Sequence, residues 1–124
     1  MAKQTAKGAG RFGPLEAAVM EAVWAAGAPV SVREVMGRLN TGRAEPLAYT
    51  TVMTVMSRLA EKGALARSPA RRGYAYEATA SDQAGIAVQN VIRTYGEEAM
   101  AHFVEQARAD PDLLRRMEQL LKEK

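Results

Sequence analysis

Hydroxyl groups and an arginine share one side of residues 49–62, a segment whose apolar spacing predicts a helix. At 100° per residue, the apolar side chains fall together on one face: Val52, Val55, Met56 and Leu59. The polar side chains share the opposite face: Thr50, Thr54, Ser57, Arg58 and Glu61. Hydroxyl groups can hydrogen-bond base edges or phosphates, and a guanidinium can reach a phosphate or a guanine. The segment is therefore predicted to pack by one face and to offer the other to DNA.

These residues also have plainer interpretations, which the sequence alone leaves open. A threonine-rich helix face is commonly only solvated. Arg58 could instead pair with a nearby carboxylate, that of Glu61 or Glu34.

The sequence offers little for catalysis or metal binding. It contains no cysteine, so disulfides, thiolate metal sites and cysteine nucleophiles are excluded. It contains a single histidine, His102. We find no Ser/His/Asp set, no phosphate-binding glycine loop and no pair of carboxylates suited to acid–base catalysis. We therefore expect a protein that is not an enzyme, with no metal and no cofactor, in which His102 is an interface or surface residue.

Two further helices are predicted before this segment. Apolar residues at helical spacing indicate a first helix over residues 15–26, which Gly27 ends. Ser31 and Glu34 have the spacing of a capping box, which predicts that a second helix starts there.

A β-hairpin is predicted after Gly63, which ends the third helix. Two short alternating segments, residues 64–67 and 74–77, flank a turn-rich stretch at residues 68–73 that includes Arg71 and Arg72. These two arginines could be ordinary surface charges, and Tyr74 and Tyr76 are expected to pack the hairpin onto the core.

Three helices followed by a hairpin with a basic tip is the order of a winged helix-turn-helix domain. In that fold the third helix enters the major groove and the hairpin tip lies along the DNA backbone. The predicted fold class is mostly α, a winged helix-turn-helix domain with a C-terminal helical dimerisation region. The predicted DNA-binding residues are Ala48, Tyr49, Thr50, Thr51, Thr54, Ser57, Arg58, Arg71 and Arg72.

Apolar residues recur at helical spacing after Thr79, where Gly96 is expected to interrupt the helix and Asp110 with Pro111 to start the last one. They are more than about 40 residues could bury among themselves, so most are predicted to be shared between two chains. The alternative is that these helices fold back on their own winged domain. The predicted dimerisation residues are Val88, Val91, Ile92, Tyr95, Met100, Phe103, Val104, Leu113, Leu114, Met117, Leu120 and Leu121.

Charge is distributed unevenly over the 124 residues. Residues 1–80 hold 11 Lys/Arg against 6 Asp/Glu, a net +5, and residues 81–124 hold 6 against 8, a net −2. The basic first part suits a polyanionic partner.

We predict a flexible basic arm at residues 1–13, a winged-helix domain at 14–79 and a helical dimerisation region at 80–124. No apolar run of about 18 residues and no signal peptide is recognisable, so we expect a cytoplasmic protein without membrane insertion.

Three segments resemble the BlaI/MecI family of penicillinase-type repressors. Residues 47–63, LAYTTVMTVMSRLAEKG, resemble the family's recognition segment; residues 15–24, LEAAVMEAVW, resemble its first helix; and residues 72–76, RGYAY, resemble its wing. The resemblance implies a homodimeric repressor on an inverted-repeat operator. In the family members that control antibiotic resistance, the repressor is released when it is cleaved, after a membrane-bound metalloprotease-type receptor senses a β-lactam. Residues 101–105 resemble the cleaved segment, with His102 where those repressors carry Asn, so the implied cut lies between His102 and Phe103. Copper-responsive relatives carry cysteine pairs, which this chain lacks.

The predicted function is that of a sequence-specific transcriptional repressor, with antibiotic resistance as one possible setting because the family also occurs where no β-lactamase is controlled. One alternative is an architectural DNA-binding protein with little sequence preference, which the ratio of specific to non-specific affinity would distinguish. Another is a protein-interaction module, although the exposed face of the third helix lacks the Leu, Trp or Phe anchors of such docking.

Overall fold

The structure, a computed structural model, describes residues 12–123. The predicted basic arm lies, up to residue 11, outside these described residues. The described part contains six helices and a two-stranded antiparallel sheet. In chain order the elements are α1 (Pro14–Ala26), α2 (Val32–Asn40), α3 (Tyr49–Glu61), β1 (Leu65–Ala70), β2 (Gly73–Ala78), α4 (Gln83–Tyr95), α5 (Glu97–Ala109) and α6 (Pro111–Lys122).

Local signals determine where the second helix begins and where the first one ends. The Ser31 hydroxyl accepts a hydrogen bond from the Glu34 amide at 3.0 Å, and the Glu34 carboxylate accepts one from the Ser31 amide at 2.8 Å. This is the predicted capping box, in which each side chain satisfies a backbone amide that the helix leaves unpaired. Gly27 ends α1 with a φ of +68°, a left-handed conformation that glycine adopts without steric cost.

The hairpin is tighter than the sequence predicted. Ala70 lies opposite Gly73, so the turn contains only Arg71 and Arg72, and the strands extend into the stretch expected to be a loop. Pro69 is tolerated in β1 because β1 is an edge strand. The other edge of β2 pairs with Val30, whose amide donates to the Tyr76 carbonyl at 2.9 Å while the Tyr76 amide donates back at 2.7 Å.

The chain divides into two compact units, which we call the front unit, ending at Asn90, and the rear unit, beginning at Val91. The front unit has a continuous apolar core. Its buried members are Val19, Met20, Ala22, Val23, Val30, Val32, Val35, Val52, Met56, Leu59, Ala64, Leu65, Tyr76 and Ile86. Three helices and a hairpin around one core confirm the predicted winged-helix fold.

The front unit extends beyond residue 79, where the sequence suggested a division. Ile86, on α4, is fully buried in the front core. The Trp24 indole N–H donates to the Ala80 carbonyl at 2.8 Å, and the side-chain amide nitrogen of Gln89 donates to the Thr79 carbonyl at 2.9 Å. The start of α4 is thus held by the burial of Ile86 and by the Gln89 bond to the preceding connection, which Trp24 in turn ties to α1.

The rear unit contains the end of α4, together with α5 and α6. Gly96, with a φ of +57°, separates α4 from α5, as its position in the sequence predicted. The Asp110 carboxylate caps α6 by accepting from the amides of Asp112 at 3.1 Å and Leu113 at 3.2 Å. Only Ala99 and Ala107 are buried among the described residues of this unit. Within residues 12–123, no helix combines the length and apolar character needed to cross a membrane.

Candidate nucleic-acid interface

The two faces of α3 are separated as the apolar pattern predicted. Val52, Met56 and Leu59 are fully buried, and Val55 packs against the same core. The opposite side carries four exposed polar side chains: Thr50, Thr54, Arg58 and Glu61. Because the apolar face fixes the rotation of the helix, it also determines which hydroxyl groups meet solvent.

The start of α3 is held by a side chain of α2. The Leu47 amide donates to the Asn40 side-chain oxygen at 2.7 Å, and the Asn40 amide nitrogen donates to the Leu47 carbonyl at 3.2 Å. Ala48 is the N-cap residue of α3 and provides no side-chain hydrogen bond to the first turn. The pair of bonds from Asn40 therefore positions α3 without occupying its first amide groups.

A groove of about 500 Å³ lies between α3, the start of α2 and the hairpin. Tyr49, Met53 and Ser57 form its α3 wall, at intervals of four residues along one face of the helix. Tyr49 and Ser57 are predicted DNA-binding residues, whereas Met53 was not among the residues predicted from the sequence. Thr50, Thr51 and Thr54 are exposed on the adjacent turns but do not line the groove.

Two arginines that the sequence analysis did not single out line this groove, each against a tyrosine ring. The Arg33 guanidinium carbon lies 5.2 Å from the ring centroid of Tyr49, and that of Arg67 lies 4.5 Å from the ring centroid of Tyr74. Both distances are within the range of cation–π attraction. With Arg72, the described lining contains three arginines and no carboxylate.

Arg67 is held by a second tyrosine as well. Its side-chain hydrogen bond with Tyr76 raises the pKa of Arg67, against an opposing effect of desolvation, and the nearby Tyr74 and Glu61 act in the same direction as Tyr76. The guanidinium therefore stays charged and is restrained by two aromatic residues. The arrangement follows from the observed strand register, in which Arg67 lies directly opposite Tyr76.

The prediction for the two hairpin tyrosines is half right. Tyr76 is 2% exposed and belongs to the core, whereas Tyr74 is 45% exposed. The rings meet edge to face, with centroids 6.4 Å apart and an interplanar angle of 71°. Tyr74 does not pack into the core because it projects into the groove, where it contacts Arg67.

Arg58 pairs with neither of the carboxylates suggested from the sequence, as far as the described residues show. It lies in the electrostatic field of Glu16, at the start of α1, which forms a 2.7 Å ion pair with Lys62. Burial would raise the pKa of Glu16, but hydrogen bonds from Lys62 and the Gly13 amide, with the charges of Lys62 and Arg58, lower it overall. This carboxylate ties the end of α3 to α1 and leaves Arg58 exposed.

The two arginines of the hairpin turn are both exposed, and Arg72 also lines the groove. The interface candidate therefore consists of the polar face of α3, the arginine-lined groove beside it and the basic turn. Its positive charge suits a polyanion, and nucleic acid is bound largely through such charges. No cluster of acidic residues or histidine suited to a metal ion occurs in the described part of the chain.

Comparisons with known proteins agree with this geometry. A family model described as penicillinase repressor matches residues 12–123. The transcriptional regulator BlaI of Mycobacterium tuberculosis is 39% identical over 114 residues, which cover 86% of this chain and 81% of that protein, in both strain CDC 1551 / Oshkosh and strain ATCC 25618 / H37Rv. The chain therefore belongs to the penicillinase repressor family, as the resemblance of its recognition segment predicted, and it is a DNA-binding transcriptional repressor and not an enzyme.

Proposed function

We propose that the chain is a sequence-specific repressor that binds double-stranded operator DNA as a homodimer. In this proposal α3 enters the major groove, and the turn at Arg71 and Arg72 lies along the phosphate backbone. The observation that carries the proposal is the exposed hydroxyl face of α3 beside a groove with three arginines and no carboxylate among its described lining residues. An architectural binder needs the charges but has no need of a hydroxyl face directed at base edges.

Exposed apolar side chains of the rear unit, together with Val88 at the end of the front unit, support the homodimer. Among the predicted dimerisation residues, ten are exposed in the single chain, and Val91 and Phe103 are half-buried. The exposed ones are Val88, Ile92, Tyr95, Met100, Val104, Leu113, Leu114, Met117, Leu120 and Leu121. Apolar side chains at this density mark an interaction surface, and closed two-fold dimers are the commonest assembly. A dimer places two copies of α3 on the DNA, so the proposed operator is an inverted repeat.

Selection of binding sites from random duplexes tests this function, combined with the mass of the protein in solution. We expect an inverted repeat to be enriched, a dimeric mass, and an affinity for the selected site at least about 1000-fold above that for random DNA. A monomeric mass would contradict the homodimer. Equal affinity for selected and random duplexes would contradict sequence-specific repression and favour an architectural protein.

We further propose that the protein acts in the cytoplasm and that proteolysis within α5 relieves repression. A membrane-bound metalloprotease-type receptor would trigger this cleavage. The bond between His102 and Phe103 lies within α5, with the His102 side chain 76% exposed and its Nδ1 3.3 Å from the Glu105 carboxylate. Phe103 is half-buried. Cleavage there would remove α6 and much of α5, and with them many of the exposed apolar residues. Coexpression with a candidate receptor, followed by the mass of the fragments, tests the position of the cut.

A further inference from the structure

Met53 is a large apolar side chain without a place in the core. It lies in the second turn of α3 and is 39% exposed, while the neighbouring apolar residues Val52 and Met56 are fully buried. It is also absent from the residues that pack against the front core. A single exposed apolar residue is ordinary on a protein surface. This one, however, is on the wall of the basic groove, between Tyr49 and Ser57.

The surroundings of Met53 restrict the chemistry of a partner. Arg33 and Arg67, on the other walls of the groove, favour an anionic ligand, whereas the Met53 thioether favours an apolar group. A DNA strand provides both, because thymine presents its C5-methyl group in the major groove next to the phosphate backbone. The other bases present only hydrogen-bonding groups and ring carbons there.

We infer that Met53 contacts the C5-methyl group of a thymine in each operator half-site and thereby determines specificity at that position. This inference rests on the proposed function. A thioether with three rotatable bonds can adjust to the position of a methyl group, and the contact would remove both groups from water. Hydroxyl residues on the adjacent turns would remain free to hydrogen-bond other bases.

Thymine-to-uracil substitution tests the contact, since uracil lacks only the C5-methyl group. The full-length protein is first used to select a binding site, and each thymine of that site is then replaced singly by uracil. We expect one thymine per half-site at which the replacement weakens binding by about fourfold, the effect of removing one methyl-sized contact. With Met53→Ala the same replacement should change affinity by less than about 1.5-fold, whereas Met53→Leu should retain most of the discrimination. Thermal unfolding of each variant confirms that the fold is intact, as the exposure of Met53 predicts.

The outcomes separate this inference from the proposed function. If no sequence is selected, both are overturned. If a site is selected but no uracil replacement affects wild-type binding, the methyl contact is wrong while the repressor function stands. If uracil sensitivity persists unchanged in Met53→Ala, another residue such as Ala48 makes the contact, and the assignment to Met53 is overturned. Loss of the discrimination in Met53→Ala, with its retention in Met53→Leu, supports the inference.

Discussion

The front and rear units differ in how their apolar residues are used. In the front unit large side chains such as Met20, Met56 and Ile86 are fully buried, and the exposed face of α3 is mainly polar. In the rear unit only two alanines are buried among the described residues, and Leu121 is 83% exposed. Burial of apolar surface is the main favourable term in folding. The front unit therefore has its own source of stability in one chain, whereas the rear unit has unused apolar surface that a second chain could cover.

The sharpest test of this difference is a matched pair of leucine truncations. Leu59→Ala removes a fully buried side chain from the front core and is expected to lower the free energy of unfolding by about 2–5 kcal/mol. Leu120→Ala, in the half-exposed setting of α6, should lower it much less at concentrations where the chain is monomeric, while weakening self-association. Denaturant unfolding and sedimentation measure the two quantities. Equal losses of stability in monomeric protein would show that the rear unit has a core of its own.

Truncation after His102 tests whether the front unit folds without most of the rear unit and whether the rear unit is needed for dimerisation. The shortened chain should retain the front core, become largely monomeric and bind the operator about 100-fold or more weakly, because it loses the second, intramolecular half-site contact. Far-ultraviolet circular dichroism, mass in solution and operator binding are compared with those of the full chain. A truncated chain that is dimeric and binds as tightly would contradict both the dimer assignment and the cleavage mechanism.

Thr54→Ala tests whether the exposed face of α3 reads sequence. Thr54 lies in the second turn of the helix and is exposed. We expect a loss of about 1–3 kcal/mol in binding the selected operator and a smaller loss on random duplexes. Thr94→Ala, an exposed threonine of α4, is the matched control and should leave both affinities unchanged. Equal weakening on operator and random DNA would mean that Thr54 does not distinguish bases.

The basic turn should have the smallest effect per residue and the least sequence dependence. Replacing Arg71 and Arg72 by alanine is expected to weaken binding to all duplexes about equally and to lower the salt dependence of the affinity by roughly 1–2 units of slope. The matched control replaces Arg115 and Arg116 of α6, which removes the same charge from the rear unit. An unchanged slope in the turn variant, or the same change in the control, would remove the turn from the DNA interface.

Local patterns in the sequence were sufficient for several helix boundaries in both units and for the two faces of α3. The capping box of Ser31, the Asp110 cap before Pro111 and the breaks at Gly27 and Gly96 depend on residues a few positions apart, so they can be recognised without a fold. The two faces of α3 follow from its apolar period in the same way.

Tertiary structure alone decided which distant side chains meet. The pairing of Arg67 with Tyr74 and Tyr76 depends on hairpin register, and the contact between Arg33 and Tyr49 depends on how α2 packs against α3. Ile86 enters the front core only because the chain after β2 returns to it, so the first unit extends beyond the division suggested by the sequence. Met53 likewise cannot be distinguished by residue type from the buried Met56, because both are apolar residues of one helix. The physical reason is common to all of these: residue type and local period specify what a side chain can do, whereas burial and long-range contact depend on the packing of elements that are far apart in the chain.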